Sequence, residues 1–336
     1  MNPLMIRPTL LGLVGALIIA MRWFQLRRKI PLWTLAPSVL CVAYVFFRLW
    51  LFRRTSSTSW DTFDLYTLYA DLSYGFNPSL WCNRWVERVG LYPLVSVVYE
   101  SLVLAIATTY ALSLGRRGQA VRVLAVMVLA GFAGIEAYKL LPACGPVYLL
   151  GSECFTGEVS ANCATVAAAD VHPIALDQSF PRNAMPSLHV GWALLVCWIV
   201  SAMFPASRWR WLALVYLGLT MLATLAGGEH YLVDLVAAFP FSLALWALCC
   251  VSGWGPPRVL TIAGSVLGLL VWIAMIRFSP GLLWSSIIVP WLISAFLVGG
   301  AWYGFARLSK EDACAGPRRR SAQDPSARWQ KRGRSG

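Results

Sequence analysis

Residues 209–252 read WRWLALVYLGLTMLATLAGGEHYLVDLVAAFPFSLALWALCCVS, two apolar blocks joined by a short polar hinge. Their acidic residues are Glu229, in the hinge, and Asp234, just inside the second block. Each block is about 20 residues long, the length a helix needs to cross roughly 30 Å of hydrocarbon. The apolar residues form blocks rather than the stripe of an amphipathic surface helix. This hinge is read as a loop between two membrane spans.

The rest of the chain follows the same pattern. Of its 336 residues 58% are hydrophobic and 13% charged, whereas a soluble chain carries about a quarter charged residues. That deficit excludes a large soluble α-protein, which would need far more charged surface. Seventeen tryptophans fit a membrane–water interface, where indole rings are favoured. Spans are predicted near 9–22, 30–52, 91–114, 121–141, 187–204, 209–227, 230–252, 259–277 and 283–306. The first follows a single basic residue and has no small-residue cleavage site, so it reads as a retained span rather than a cleaved signal peptide. The expected fold is an all-α integral membrane protein. After Arg307 the chain turns polar and rich in Arg, Pro, Ser and Gly, the composition of a disordered tail.

Charge sets orientation. The formal net charge is +13. With the tail cytoplasmic and nine alternating spans, 19 of the 28 basic residues fall on the inner side, among them Arg27, Arg28, Lys29, Arg116, Arg117, Arg122, Arg208, Arg210 and Arg258. The acids outside the tail lie almost entirely on the outer half, which is the positive-inside bias of a multi-pass cell-membrane protein. The basic tail suits anionic headgroups, and no motif beside it reads nucleic acid. Two long outer connections result, near 53–90 and 142–186. They hold or adjoin Cys82, Cys144, Cys154 and Cys163, where an oxidising compartment permits disulfides. Pairing among Cys144, Cys154 and Cys163 is left open by the sequence. No His/Cys cluster has the spacing of a zinc site.

Three histidines occur in the whole chain. His172 reads as a solvated loop residue. His189, in PRNAMPSLHVGWALL, and His230, in GGEHYLVDLVAA, each sit where an outer loop meets a span. The topology, built without them, puts both at one membrane face. In MPSLH, Pro186 suits an early helical position, leaving Ser187 and His189 in a first turn whose free N–H groups favour an anion. His230 and Asp234 are four apart and are expected to share a helix face. A carboxylate there would fix the imidazole tautomer and leave the other nitrogen as a nucleophile. An acid within an apolar span is costly, which marks Asp234 as functional.

PSLH followed 41 residues later by HYLVD resembles the second and third signature motifs of the type 2 phosphatidic acid phosphatase superfamily. The variant is closest to its inositol-phosphorylceramide-synthase-like branch. YKLLPACGPVY, 138–148, is similar to that branch's proline-rich stretch after the third core span. The resemblance covers roughly residues 30–252. It implies a six-helix phosphatase-type core plus about three additional spans. The corresponding division is an N-terminal span with a basic inner loop (1–29), the core (30–252), two further spans (253–306) and the tail (307–336).

The resemblance also implies an activity, that of a lipid phosphatase or phosphotransferase acting on a lipid phosphate or phospholipid at the outer membrane face. His230 would attack phosphorus to form a phosphohistidine, oriented by Asp234. His189 would protonate the leaving oxygen and then deprotonate water or an acceptor alcohol such as inositol. Ser187 and nearby backbone N–H groups would hold phosphate oxygens, with no metal or other cofactor required. Two departures stand out. The arginine usual six residues before the third-motif histidine is Thr224 here. The first motif's Lys and Arg-Pro are reduced to Lys139 followed by Gly145 and Pro146. Lys139 and Arg182 are the nearest candidates to replace the missing phosphate-binding charge. Two rival readings, a proton-relay transporter and a catalytically inactive family member, predict no phosphate chemistry.

Overall fold

A computed structural model of the chain describes residues 3–43, 46, 50, 53, 61–116, 118–155, 170–250 and 254–323. Its helices in chain order are α1 (Pro3–Leu26), α2 (Pro37–Val42), α3 (Asp64–Leu72), α4 (Pro78–Arg88), α5 (Tyr92–Glu100), α6 (Leu102–Ser113), α7 (Gln119–Ala137), α8 (Pro146–Leu150), α9 (Leu188–Met203), α10 (Arg208–Ala226), α11 (Leu232–Leu248), α12 (Pro256–Phe278) and α13 (Ile288–Gln323). The all-α membrane fold expected from the apolar blocks is the one observed. Among the described residues, five helices are long and apolar enough to cross a membrane: α1, α7, α10, α12 and α13. α5 and α6 together make a sixth, bent by 52° at Ser101. The predicted span 30–52 begins as a short 3-10 turn and α2, and most of its second half lies outside the described residues.

The two remaining apolar blocks became the shortest span-like helices, α9 with 16 residues and α11 with 17. At 1.5 Å per residue each reaches only about 25 Å. They form the bundle's centre: α11 is buried from Val233 to Ala247 and packs against α9, α12 and α13. Apolar on every side, they are shielded from lipid by the outer helices. α10 flanks α9 and braces α4 and α5. Trp198, Trp246 and Phe305 lock α9, α11 and α13 together, with Phe305 stacked 5.1 Å from Trp198 and lying edge-on 5.3 Å from Trp246.

The basic residues of the short connections gather at one end of this bundle. Arg116 donates to the Met203 carbonyl (3.1 Å) and Arg258 to that of Leu248 (2.5 Å), so each neutralises a helix C-terminus. Arg122 reaches Asp312 (2.9 Å) and lies 3.9 Å over the Trp246 ring. That contact corrects one expectation. Of the polar segment after Arg307, the described residues continue α13 as far as Gln323. The Arg307–Glu311 pair four apart and the anchored Asp312 support the first turns of this extension, which runs on through Gly316 and Pro317. Arg122→Ala is expected to cost about 2 kcal/mol by removing the cation paired with Asp312, seen as a lowered Tm of the detergent-solubilised protein.

The opposite end is built from the two long connections. Strands β1 (Asp61–Thr62) and β2 (Ile174–Ala175) pair antiparallel, a small sheet within the helical fold that joins one connection to the other. The Phe63 N–H donates to the Pro142 carbonyl (2.8 Å) and the Val147 N–H to that of Gly228 (2.9 Å). Loops that would otherwise carry orphaned backbone groups thereby satisfy one another. Cys154 is disulfide-bonded, whereas Cys82 and Cys144 are free thiols, which removes Cys144 from the pairings left open by sequence. Cys163 lies outside the described residues.

Candidate active site

Both histidines stand at this looped end, with ring centroids 6.4 Å apart. His189 occupies the first turn of α9, as its position after PSL requires, and its ring stacks 4.0 Å from that of Tyr99. The start of α9 differs by one step from expectation. Ser187, not Pro186, is the boundary residue: it is the N-cap and accepts from the Val190 N–H at 3.4 Å. Pro186 precedes it, joined to Met185 by a cis peptide. The Ser187 side chain is wholly buried, and its own N–H donates to the Asp234 carbonyl (3.2 Å), stitching the two motifs together.

His230 is placed differently from the sequence expectation. It is not on a helix; α11 begins two residues later, with Tyr231 as N-cap. Asp234 therefore sits in the first turn and folds back, its Oδ2 accepting from the Tyr231 N–H at 2.8 Å. The His230 Nδ1 lies 3.6 Å from that oxygen but 2.9 Å from the Ala184 carbonyl. A carbonyl can only accept, so Nδ1 carries a proton, and in the neutral ring Nε2 keeps its lone pair. The tautomer predicted for a nucleophile is thus set by Ala184, while Asp234 adds a close negative charge. His230 is itself buried.

Of the phosphate-binding candidates, Arg182 is 1% exposed and donates to the carbonyls of Leu176, Asp177 and Phe180 (3.2, 3.1 and 2.6 Å). It thereby freezes the loop that delivers Ala184 to His230. Lys139 is directed elsewhere, its Nζ 2.6 Å from Glu136 in a surface pair with the lysine half exposed. Thr224, where an arginine was absent, is buried and donates to the Met221 carbonyl (2.8 Å). His172 is an exposed loop residue, as expected.

Two acids of the first long connection turn out to organise the site. Asp64 and Asp71, both buried, project from α3. Asp64 accepts from the N–H groups of Cys144 (3.0 Å) and Gly145 (2.9 Å) and from the Tyr231 hydroxyl (2.9 Å). Asp71 accepts from Leu232 (2.9 Å) and Val233 (3.0 Å), the free N–H groups opening α11. Burial pushes both carboxyls up from their ordinary range, and the charge of Asp234 pushes Asp71 further; the backbone donors pull both back. On α4, Ser79 donates to the His230 carbonyl (3.0 Å) and Asn83 to that of Ala226 (2.8 Å). Sequence reading passed over all four. The available signal was the seven-residue spacing of Asp64 and Asp71, two turns on one helix face.

Gly145 adopts φ +120°, and a Cβ there would come within 2.5 Å of the Glu229 carbonyl oxygen. Only glycine lets the proline-rich stretch approach the His230 hinge so closely. Gly145→Ala is expected to cost about 2 kcal/mol and to lower activity by displacing that hinge, measurable as paired changes in Tm and turnover.

The family model described as the PAP2 superfamily matches residues 66–248, more than half of the chain, and the protein belongs to that family. Membership supports a phosphatase-type lipid phosphoesterase embedded in the membrane. No curated protein and no solved structure matches the chain.

Proposed function

We propose that the protein cleaves a phosphoester of a lipid substrate at the outer membrane face through a phosphohistidine on His230. The observation that carries this reading is the Nδ1–H bond of His230 to Ala184, which presents an unprotonated Nε2 beside His189. Nε2 forms the N–P bond as the P–O ester bond breaks, and the leaving oxygen takes a proton from the His189 ring. His189 then accepts a proton from water, or from an alcohol such as inositol, whose oxygen attacks phosphorus. The N–P bond breaks and its electron pair returns to His230. The Ala184 carbonyl and Asp234 favour the charge that builds on the ring, while Ser187 keeps the first-turn N–H groups of α9 in place for phosphate oxygens. Arg182 contributes positive charge behind that loop. No step calls on a metal.

The outer-face assignment rests on the basic end of the bundle being cytoplasmic and on the disulfide-bonded Cys154 at the site end. The resemblance to the inositol-phosphorylceramide-synthase-like branch favours transfer, and the superfamily's commoner activity is hydrolysis. The test is phosphate release by detergent-purified protein from phosphatidic acid, phosphatidylglycerol phosphate, prenyl phosphates and diphosphates, and phosphatidylinositol, without added metal and with or without myo-inositol. Turnover is expected, and an inositol-dependent product would assign transfer. Absence of turnover on every lipid would reject the proposal in favour of the transporter or inactive-relative reading.

A further inference from the structure

One cavity of about 310 Å³ lies inside the bundle below the histidines. Its upper rim is made by residues one helical turn from the site itself. Trp192 is three residues past His189 on α9, and Ile135 adjoins Gly134, where α7 touches Leu188. Residues three apart on a helix share a face, so rim and site are continuous. The far wall is Ile19 of α1 and the α2 segment around Leu40, both outside the residues 66–248 matched by the family.

The lining offers nothing to a polar occupant. The Tyr110 hydroxyl donates to the Thr34 carbonyl (2.8 Å) and the Trp192 indole N–H to that of Met127 (3.0 Å), and the other lining side chains are apolar or a buried thiol. Placing a polar molecule there would leave its own groups unsatisfied. Leu40 and Phe132, on the lateral side, are 54% and 61% exposed, which gives a hydrocarbon chain a way in from the bilayer.

The geometry points to this cavity as the binding site for one alkyl or prenyl chain of the substrate, with the N-terminal helices as the wall that sets chain length. This rests on the reading of the histidine site as a lipid phosphoesterase. A chain anchored by its phosphate at His230 would descend past Trp192 towards Ile106, each buried methylene strengthening binding about fourfold.

The test has two arms on the full-length protein in detergent. In the first, a long-chain alkyl phosphate with a mid-chain diazirine is photolysed and the labelled peptides are sequenced. Labels in α1, α2, α6 and α7 around Ile106 are expected, and they should be displaced by unlabelled long-chain phosphate. In the second, kcat/KM is compared across a chain-length series for two substitutions of one residue. Ile106→Trp is expected to lower the long-to-short ratio at least about tenfold, and Ile106→Ala to move the optimum to longer chains. A general folding defect would not shift the ratio in opposite directions. Labels elsewhere, or in the cavity but equally from an uncharged alkyl probe, would overturn the inference. So would unchanged ratios beside normal turnover. Displaceable cavity labels without any phosphate release would instead sink the proposed activity and leave the chain site standing.

Discussion

His230→Ala is expected to lower phosphate release by about 10⁴-fold or more, the scale on which removing a covalent nucleophile acts. The argument rests on Nε2 being the group aimed by the Nδ1–H bond to Ala184 at 2.9 Å. Nothing adjacent can replace it: His189, the nearer imidazole, is stacked on Tyr99 and fixed in the first turn of α9. His189→Ala should cost less, about 10³-fold, because it removes proton transfer rather than the bond-forming atom. The two variants should also differ in kind. The His189→Ala deficit should shrink on a substrate whose leaving oxygen needs no proton, such as an aryl phosphate with an acidic phenol. The His230→Ala deficit should not. Steady-state kinetics on a lipid phosphate and an aryl phosphate separate the two roles, and equal deficits on both substrates would contradict them.

Asp71→Ala is expected to be the most damaging change outside the histidine pair, with a loss of about 4 kcal/mol in stability. Two backbone N–H groups at the start of α11, those of Leu232 and Val233, donate to the two oxygens of this buried carboxyl. Deleting the carboxyl strands both donors, and each buried orphan costs about 1–3 kcal/mol. The damage lands on the helix that immediately follows His230, so activity should fall with stability. Asp64→Ala should act similarly through the Cys144–Gly145 turn. Thermal unfolding in detergent reads the first effect, and turnover well below the unfolding temperature reads the second. A Tm within a degree of the parent protein would show that α11 does not depend on this cap.

The central geometry was legible in sequence because it is local. PSLH fixes a helix start from its own residues, and apolar blocks of about 20 residues fix helices whatever their neighbours. That both histidines sit at one face needed only the alternation of spans and the bias of basic residues. What sequence could not supply were contacts across long separations. The bond from His230 to Ala184 spans 46 residues and that from Asp71 to Val233 spans 162. Asp234 illustrates the cost of reasoning locally. A spacing of four implied a shared helix face, but His230 lies ahead of the helix, and the Asp234 oxygen 3.6 Å from its Nδ1 also accepts from the Tyr231 N–H. Lys139 was drawn in by the motif's spacing, yet one helical turn away Glu136 offers it a nearer partner.

The proposed mechanism turns on one chemical event, the formation of a bond between His230 and phosphorus. The most direct measurement is rapid acid-free quenching of the purified protein during turnover of a ³²P-labelled lipid phosphate, followed by peptide mapping. The account predicts label that is stable to base, lost in acid, confined to the peptide containing His230, and absent from His230→Ala. Turnover with no such adduct, or with label on a different residue, would contradict it.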